Sequence, residues 1–136
     1  MADQIRRVDY FYVEVPDQPG EGVRVLMALK EAGVNLLSFT AFPTGSGKAQ
    51  VDLVPENPEA LQKAAKNARL QLSPRKQAFF VQGDNRAGAA ADVLRKVSSA
   101  GINVRAANGA AGSGGFGLIL WVAPNDYAKA AQALGV

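Results

Sequence analysis

Shifting the sequence by 68 positions lays residues 10–68 over 78–136 without an insertion, and thirteen of the 59 aligned pairs are identical. Phe11/Phe79, Val13/Val81, Gly20/Gly88, Leu26/Leu94, Gly33/Gly101, Asn35/Asn103 and Asn57/Asn125 are among them. An ungapped register with one element order points to two copies of a single structural unit. A unit near 60 residues is longer than the ~20–50 residues of solenoid repeats, so two small modules are expected rather than a stacked array. The expected boundaries are residues 1–74 and 75–136.

Each copy carries the same pattern. The runs VDYFYVEV (8–15) and QAFFVQG (77–83) are β-rich and bounded by turn residues. A helix follows, with an apolar stripe of Val25, Leu26, Leu29 and Ala32 in copy one and Val93, Leu94, Val97 and Ala100 in copy two. Gly33 and Gly101 stand where a helix ends in a left-handed residue. Strands are expected at 34–42 and 102–108, hairpin turns at 42–48 and 110–116, and return strands at 49–54 and 117–122. Asn57 with Pro58 reads as an N-cap and first helical residue, and Asn125 before Asp126 is expected to do the same. The second helix carries Leu61, Ala64, Ala65 and Ala68 in copy one, and Tyr127, Ala131 and Leu134 in copy two. Copy one closes on a short strand at 69–72, but copy two ends at Val136 without one.

The order β-α-β-β-α-β makes this an α+β protein of two ferredoxin-like units, each an antiparallel sheet with both helices on one face. The second unit lacks its last strand, so either the chain was cut short or that edge is filled from elsewhere. Strand alternation places Phe11, Val13, Val15, Val51, Leu53, Ile119 and Trp121 toward the helices. Tyr10, Tyr12, Glu14, Leu37, Phe39, Phe80, Leu118 and Leu120 are then expected on the opposite face. So apolar a face is expected to be covered, by a homodimer or by pairing within the chain.

Function is first narrowed by what is missing. There is no cysteine and no histidine, which removes disulfides, thiolate nucleophiles, zinc–sulfur sites and Ser–His–Asp or Cys–His catalysis. No apolar run reaches the ~18 residues of a membrane span, and MADQIRRVDY has no apolar core after its arginines. A cytoplasmic protein without a membrane role is expected. Net charge is +3 but uneven, with seven basic against nine acidic residues in 1–68 and eight against three in 69–136. The bland reading is drift between two surfaces; the sharper one is an anionic partner for the second half.

Two glycine-rich stretches carry no nucleotide site. GSGGFG (112–117) matches G-x-G-x-x-G, but a dinucleotide fingerprint must open a helix, and here the strand-like LILWV follows. The repeat lays it on TGSGKA (44–49), so both are hairpin turns. The turns after the first strands say more. In DQPG (17–20) Pro19 fixes φ ahead of the helix, Gly20 permits close approach, and Asp17 can accept from the first-turn N–H groups. Asn35 and Asn103 open the neighbouring strand, offering donors and an acceptor beside that turn. An ordinary helix start explains the turn alone; turn and Asn together suit a carboxylate and an ammonium.

A D-x-P-G turn, an apolar helix and A-G-V-N-L before a strand resemble the ACT domain, a small regulatory module that binds amino acids. The resemblance is good over 8–72 and weaker over 76–136, where Ala87 stands at the place of Pro19. It implies a non-catalytic amino-acid sensor needing no cofactor or metal, with ligand held by the first turn and the start of the second strand. Carried onto this chain, those positions are Asp17, Gln18, Pro19, Gly20 and Asn35, and in copy two Asn85, Arg86, Gly88 and Asn103. Arg86 in place of Gln18 implies a more acidic ligand in copy two. The alternatives are a ligand-free protein–protein interaction module and a small ferredoxin-like enzyme acting on an anion, for instance through Arg86 and Asn103. A nucleic-acid module shares the topology but needs exposed central-strand aromatics, which AQVDLVP lacks.

Overall fold

A computed structural model describes residues 3–136. The elements are β1 (Gln4–Pro16), α1 (Glu21–Glu31), β2 (Leu36–Pro43), β3 (Lys48–Pro55), α2 (Pro58–Asn67), β4 (Lys76–Gly83), α3 (Ala89–Ser99), β5 (Val104–Gly112), β6 (Gly115–Val122) and α4 (Tyr127–Leu134). They form two compact units. The inner unit is Asp9–Lys76; the split unit combines residues 3–8 with Gln77–Val136. The expected boundary kept residues 1–74 together, whereas the described residues 3–8 group with the later repeat.

In the inner unit β1 pairs antiparallel with β3, and β3 with β2. Phe11 lies opposite Leu53 and Val13 opposite Val51, so all four share one face. They are buried with Val25 and Leu29 of α1 and Leu61 and Ala64 of α2. Each fully buried leucine here contributes about 1.5–3 kcal/mol relative to exposure. Local chemistry bounds the helices as the sequence predicts. Gly33 is left-handed at φ 72°, and the Asn57 side chain accepts from the Ala60 N–H at 3.1 Å with Pro58 opening α2.

The expected closing strand at 69–72 is not a strand. Arg69 turns the chain with a left-handed φ of 59°, and Leu70 and Leu72 pack against the core from irregular backbone. The Ser73 N–H donates to the Tyr12 carbonyl at 2.9 Å, and the Tyr12 N–H donates to Ser73 Oγ at 2.9 Å. A hydroxyl thus takes a place a strand carbonyl would hold, and Pro74, having no N–H, cannot extend a ladder.

The split unit contains the antiparallel pairs β4–β6 and β5–β6. Its missing edge is supplied by the start of β1, the hydrogen-bonded neighbour of β4. Asp3 lies against Gly83 and Arg6 over the Phe80 ring at 5.4 Å, so this pairing also runs antiparallel. Ile5 packs on the core and Val8 is buried. The last strand that copy two lacks in chain order is thus present in space.

The 68-residue register holds through α3, where Gly101 ends the helix at φ 76°, and then slips. The β2–β3 turn takes residues 44–47, whereas β5 and β6 are joined by 113–114 alone. Phe79 therefore faces Leu120, and Val81 faces Leu118, one position short of the repeat. A one-residue slip exchanges the two faces of a strand. Leu118 and Leu120 accordingly sit in the helix-side core with Phe79, Val81, Val93 and Val97, not on the opposite face as expected. Ile119, paired with Phe80, and Trp121 take the opposite face, and both are buried, so Trp121 offers no exposed ring for base stacking. Phe39 is also corrected, because it pairs with Leu53 and belongs to the helix side, 50% exposed at the sheet edge.

Asn125 does not cap α4 as expected. Pro124 stands before it, not after, and starts a 3-10 turn over Pro124–Asp126. Asp126 becomes the residue before α4 and makes no side-chain cap. The helix is held by packing: Tyr127 stacks on Phe79 at 4.5 Å and its hydroxyl donates to the Ala78 carbonyl at 3.1 Å. Among the described residues no helix is long and apolar enough to cross a membrane.

Candidate functional site

In the inner unit the DQPG turn is occupied by its own backbone. The Asp17 N–H donates to the Gly47 carbonyl at 3.0 Å, and that of Gln18 to Pro16 at 2.9 Å. Gly20, at φ 89°, precedes α1 without any side-chain cap, so Asp17 does not accept from the first turn as expected. Asn35 is tied down as well. Its Nδ2 donates to Glu56 Oε2 at 2.6 Å and its carbonyl accepts from the Glu56 N–H at 3.0 Å. Asp17, Gln18, Pro19, Gly20 and Asn35 are all exposed.

The split unit places the corresponding turn on a cavity of about 500 Å³. Asn85, Arg86 and Gly88 form one rim, and the first turns of α3 supply Ala89, Ala90 and Leu94. The β5–β6 hairpin closes the other side with Ala107, Gly109, Ala110, Phe116 and Leu118. Asn103 is exposed and does not line this cavity, so the expected meeting of turn and strand-opening Asn is not what the structure assembles. Gly88 is left-handed at φ 82°, which sets the turn down directly onto the start of α3.

Ala107 is what the sequence reading missed. It pairs with Leu120 as Phe39 pairs with Leu53, so the two are structurally equivalent. Where the inner unit carries a phenylalanine, the split unit has a methyl group and a cavity. Comparing the repeats position by position holds that signal, since 39 aligns with 107.

Both terminal nitrogens of Arg86 are engaged. Its Nη1 donates to Asp3 Oδ1 at 3.0 Å and its Nη2 to Asp3 Oδ2 at 3.1 Å, a bidentate pair. Nη2 also donates to Asp92 Oδ2 at 3.1 Å, and Nη1 to the Asp84 carbonyl at 3.3 Å. The guanidinium lies 5.9 Å from the Phe116 ring centroid. Hydrogen bonding to Asp3 first, and to Asp92, holds the Arg86 pKa above its ordinary value, while Arg86 lowers that of Asp3. Gly83 makes room for this, because a Cβ there would run into the Asp3 carboxylate and come within 2.9 Å of the Phe116 ring.

No family model and no curated protein matches the sequence. Solved structures do. Protein BT0572 from Bacteroides thetaiotaomicron superposes with a TM-score of 0.80 at 16% identity, covering 96% of this chain and 88% of its own. The ligand-free regulatory subunit of aspartate kinase from Thermus thermophilus gives 0.67 at 16% identity, covering 98% and 94%. That of Thermus flavus gives 0.58 at 22%, also covering 98% and 94%. The fold is shared with aspartate kinase regulatory subunits. The chain is α+β, and the likeness at these identities concerns the fold. No group of three or more His, Cys, Asp or Glu side chains suited to a metal occurs among the described residues.

Proposed function

We propose that this chain is a non-catalytic regulatory module of the cytoplasm that senses a free amino acid in the cavity of its split unit. The cavity itself carries the reading. At about 500 Å³ it falls within the ~300–1,000 Å³ typical of small-molecule sites, and it joins a polar rim to apolar walls. The backbone at the start of α3 is the natural place for a carboxylate, and the Asn85 side-chain oxygen for an ammonium. The fold shared with aspartate kinase regulatory subunits supports a regulatory role. In the inner unit the equivalent turn, Asp17 to Gly20 with Asn35, serves as structure, since the Asp17 and Gln18 N–H groups and the Asn35 Nδ2 are committed within the fold.

The test is a thermal-shift screen of the twenty amino acids followed by calorimetric titration. A ligand that binds only the folded state raises the midpoint by mass action. Ala107→Phe, which restores the inner unit's side chain, should weaken binding at least about tenfold while leaving the fold intact, a loss of about 1.4 kcal/mol. Unchanged affinity in that variant would remove the ligand from this cavity.

A second reading is a protein–protein interaction module. It is favoured by large apolar side chains left exposed in the inner unit, Val23 at 63%, Met27 at 42%, Phe39 at 50% and Phe42 at 41%. A homodimer would cover them. A mass of one chain by sedimentation, together with amino-acid binding, would decide against it.

A further inference from the structure

From this reading of the cavity we infer its ligand class: the site accepts an uncharged aliphatic amino acid and rejects acidic ones, because Asp3 and Asp92 hold Arg86 away from any incoming anion. Among the described residues Arg86 is the only charged side chain lining the cavity, so it alone of these could recognise a ligand's side-chain carboxylate. Its two terminal nitrogens already donate to three carboxylate oxygens and one carbonyl at 3.0–3.3 Å. A guanidinium has five N–H donors in a fixed fork. A carboxylate seeking a bidentate grip on the fork must break an existing charge-assisted bond and sit beside two acidic side chains, with only Nε–H left to it.

The remaining surface is apolar. Leu94, Ala107, Phe116 and Leu118 present hydrocarbon, with no hydroxyl or second charged group among the cavity's side chains. An aliphatic side chain there loses only water, whereas a polar one forgoes its hydrogen bonds, which costs affinity strongly. The specificity determinant is therefore Asp3, which immediately precedes the strand that completes the unit's sheet from the far end of the sequence. Its carboxylate is largely enclosed, with a side-chain exposure of 11%, and faces Arg86 with both oxygens. Asp3 acts as a positioning residue and touches no ligand.

The experiment titrates the full chain with L-valine, L-leucine, L-aspartate and L-glutamate, then repeats the series with Asp3→Asn. Wild type should bind valine or leucine at least about tenfold more tightly than either acid. In Asp3→Asn, Arg86 keeps Asp92 but regains donors, so the ratio should move toward the acids by about tenfold, one charge-assisted hydrogen bond's worth of discrimination. A merely structural role for Asp3 would weaken all four ligands together and leave the ratio unchanged, overturning the inference. Asp92→Asn, on the exposed side of the pair, is the second variant should Asp3→Asn unfold, and it should shift the ratio the same way. Equal binding of acids and aliphatics by wild type refutes the ligand class while leaving amino-acid sensing intact. Binding of no amino acid refutes both, and a dimer that Ala107→Phe dissociates would identify a second copy as the cavity's occupant.

Discussion

Deleting residues 1–7 should destabilise the unit built from the opposite end of the chain. The lost contacts are specific. Ile5 packs on the core of Phe79, Val93 and Leu118, Arg7 lies 5.8 Å over the Tyr127 ring, and Asp3 pairs with Arg86. Partial burial of one isoleucine contributes about 1–2 kcal/mol. The cation–π contact adds about 0.5–1 kcal/mol. Each lost edge-strand hydrogen bond adds about 0.5–1.5 kcal/mol. Released backbone entropy opposes these contacts at about 1–2 kcal/mol per residue freed, so the net is a small difference of similar terms. A net loss of even about 2 kcal/mol is a large share of an ordinary ~5–15 kcal/mol stability. Trp121, the single tryptophan, lies in β6 of the split unit. Urea unfolding followed by its fluorescence should show a midpoint lowered by about 1 M for a loss of about 2 kcal/mol, taking a slope of about 2 kcal/mol/M. A midpoint unchanged within the precision of the curve would mean that the first strand does not complete this sheet.

Leu120→Ala should cost about 2–5 kcal/mol, because that side chain is fully buried against the helices; a cost under about 1 kcal/mol in urea unfolding would mean that it is not packed in this core. Asp52 is buried on β3, and desolvation first pushes its carboxyl pKa above the ordinary value, against the lowering effects of the Gln50 hydrogen bond at 2.8 Å and of Lys76. A raised folded-state pKa means stability is fullest below the unfolded value near pH 4 and is lost as pH rises through the folded one. Asp52→Asn should therefore gain on wild type between pH 4 and 7 in paired thermal melts, and a gain that runs the other way would refute that sign.

What the sequence determined by itself was governed by neighbours along the chain. Gly33 and Gly101 end helices because only a left-handed residue closes them there, and Asn57 with Pro58 starts one through groups within three residues. The repeat therefore revealed the α+β plan, and the helix stripes revealed which residues are buried beneath them. The tertiary structure decided what depends on partners distant in sequence. Backbone hydrogen bonds at a sheet edge are blind to side-chain identity, so nothing in residues 4–8 announced that they would pair with β4 instead of lengthening the inner unit. The shorter β5–β6 turn moved the register by one residue, and with a side-chain period of two that exchanged the faces of Leu118 to Trp121. The cavity arose from the same cause at larger scale. Ala107 is ordinary as a letter, and only the pairing of β5 with β6 sets it on the cavity wall at the place where the other unit has Phe39. Arg86 read alone promised an anion; Asp3, 83 positions away, takes that capacity up.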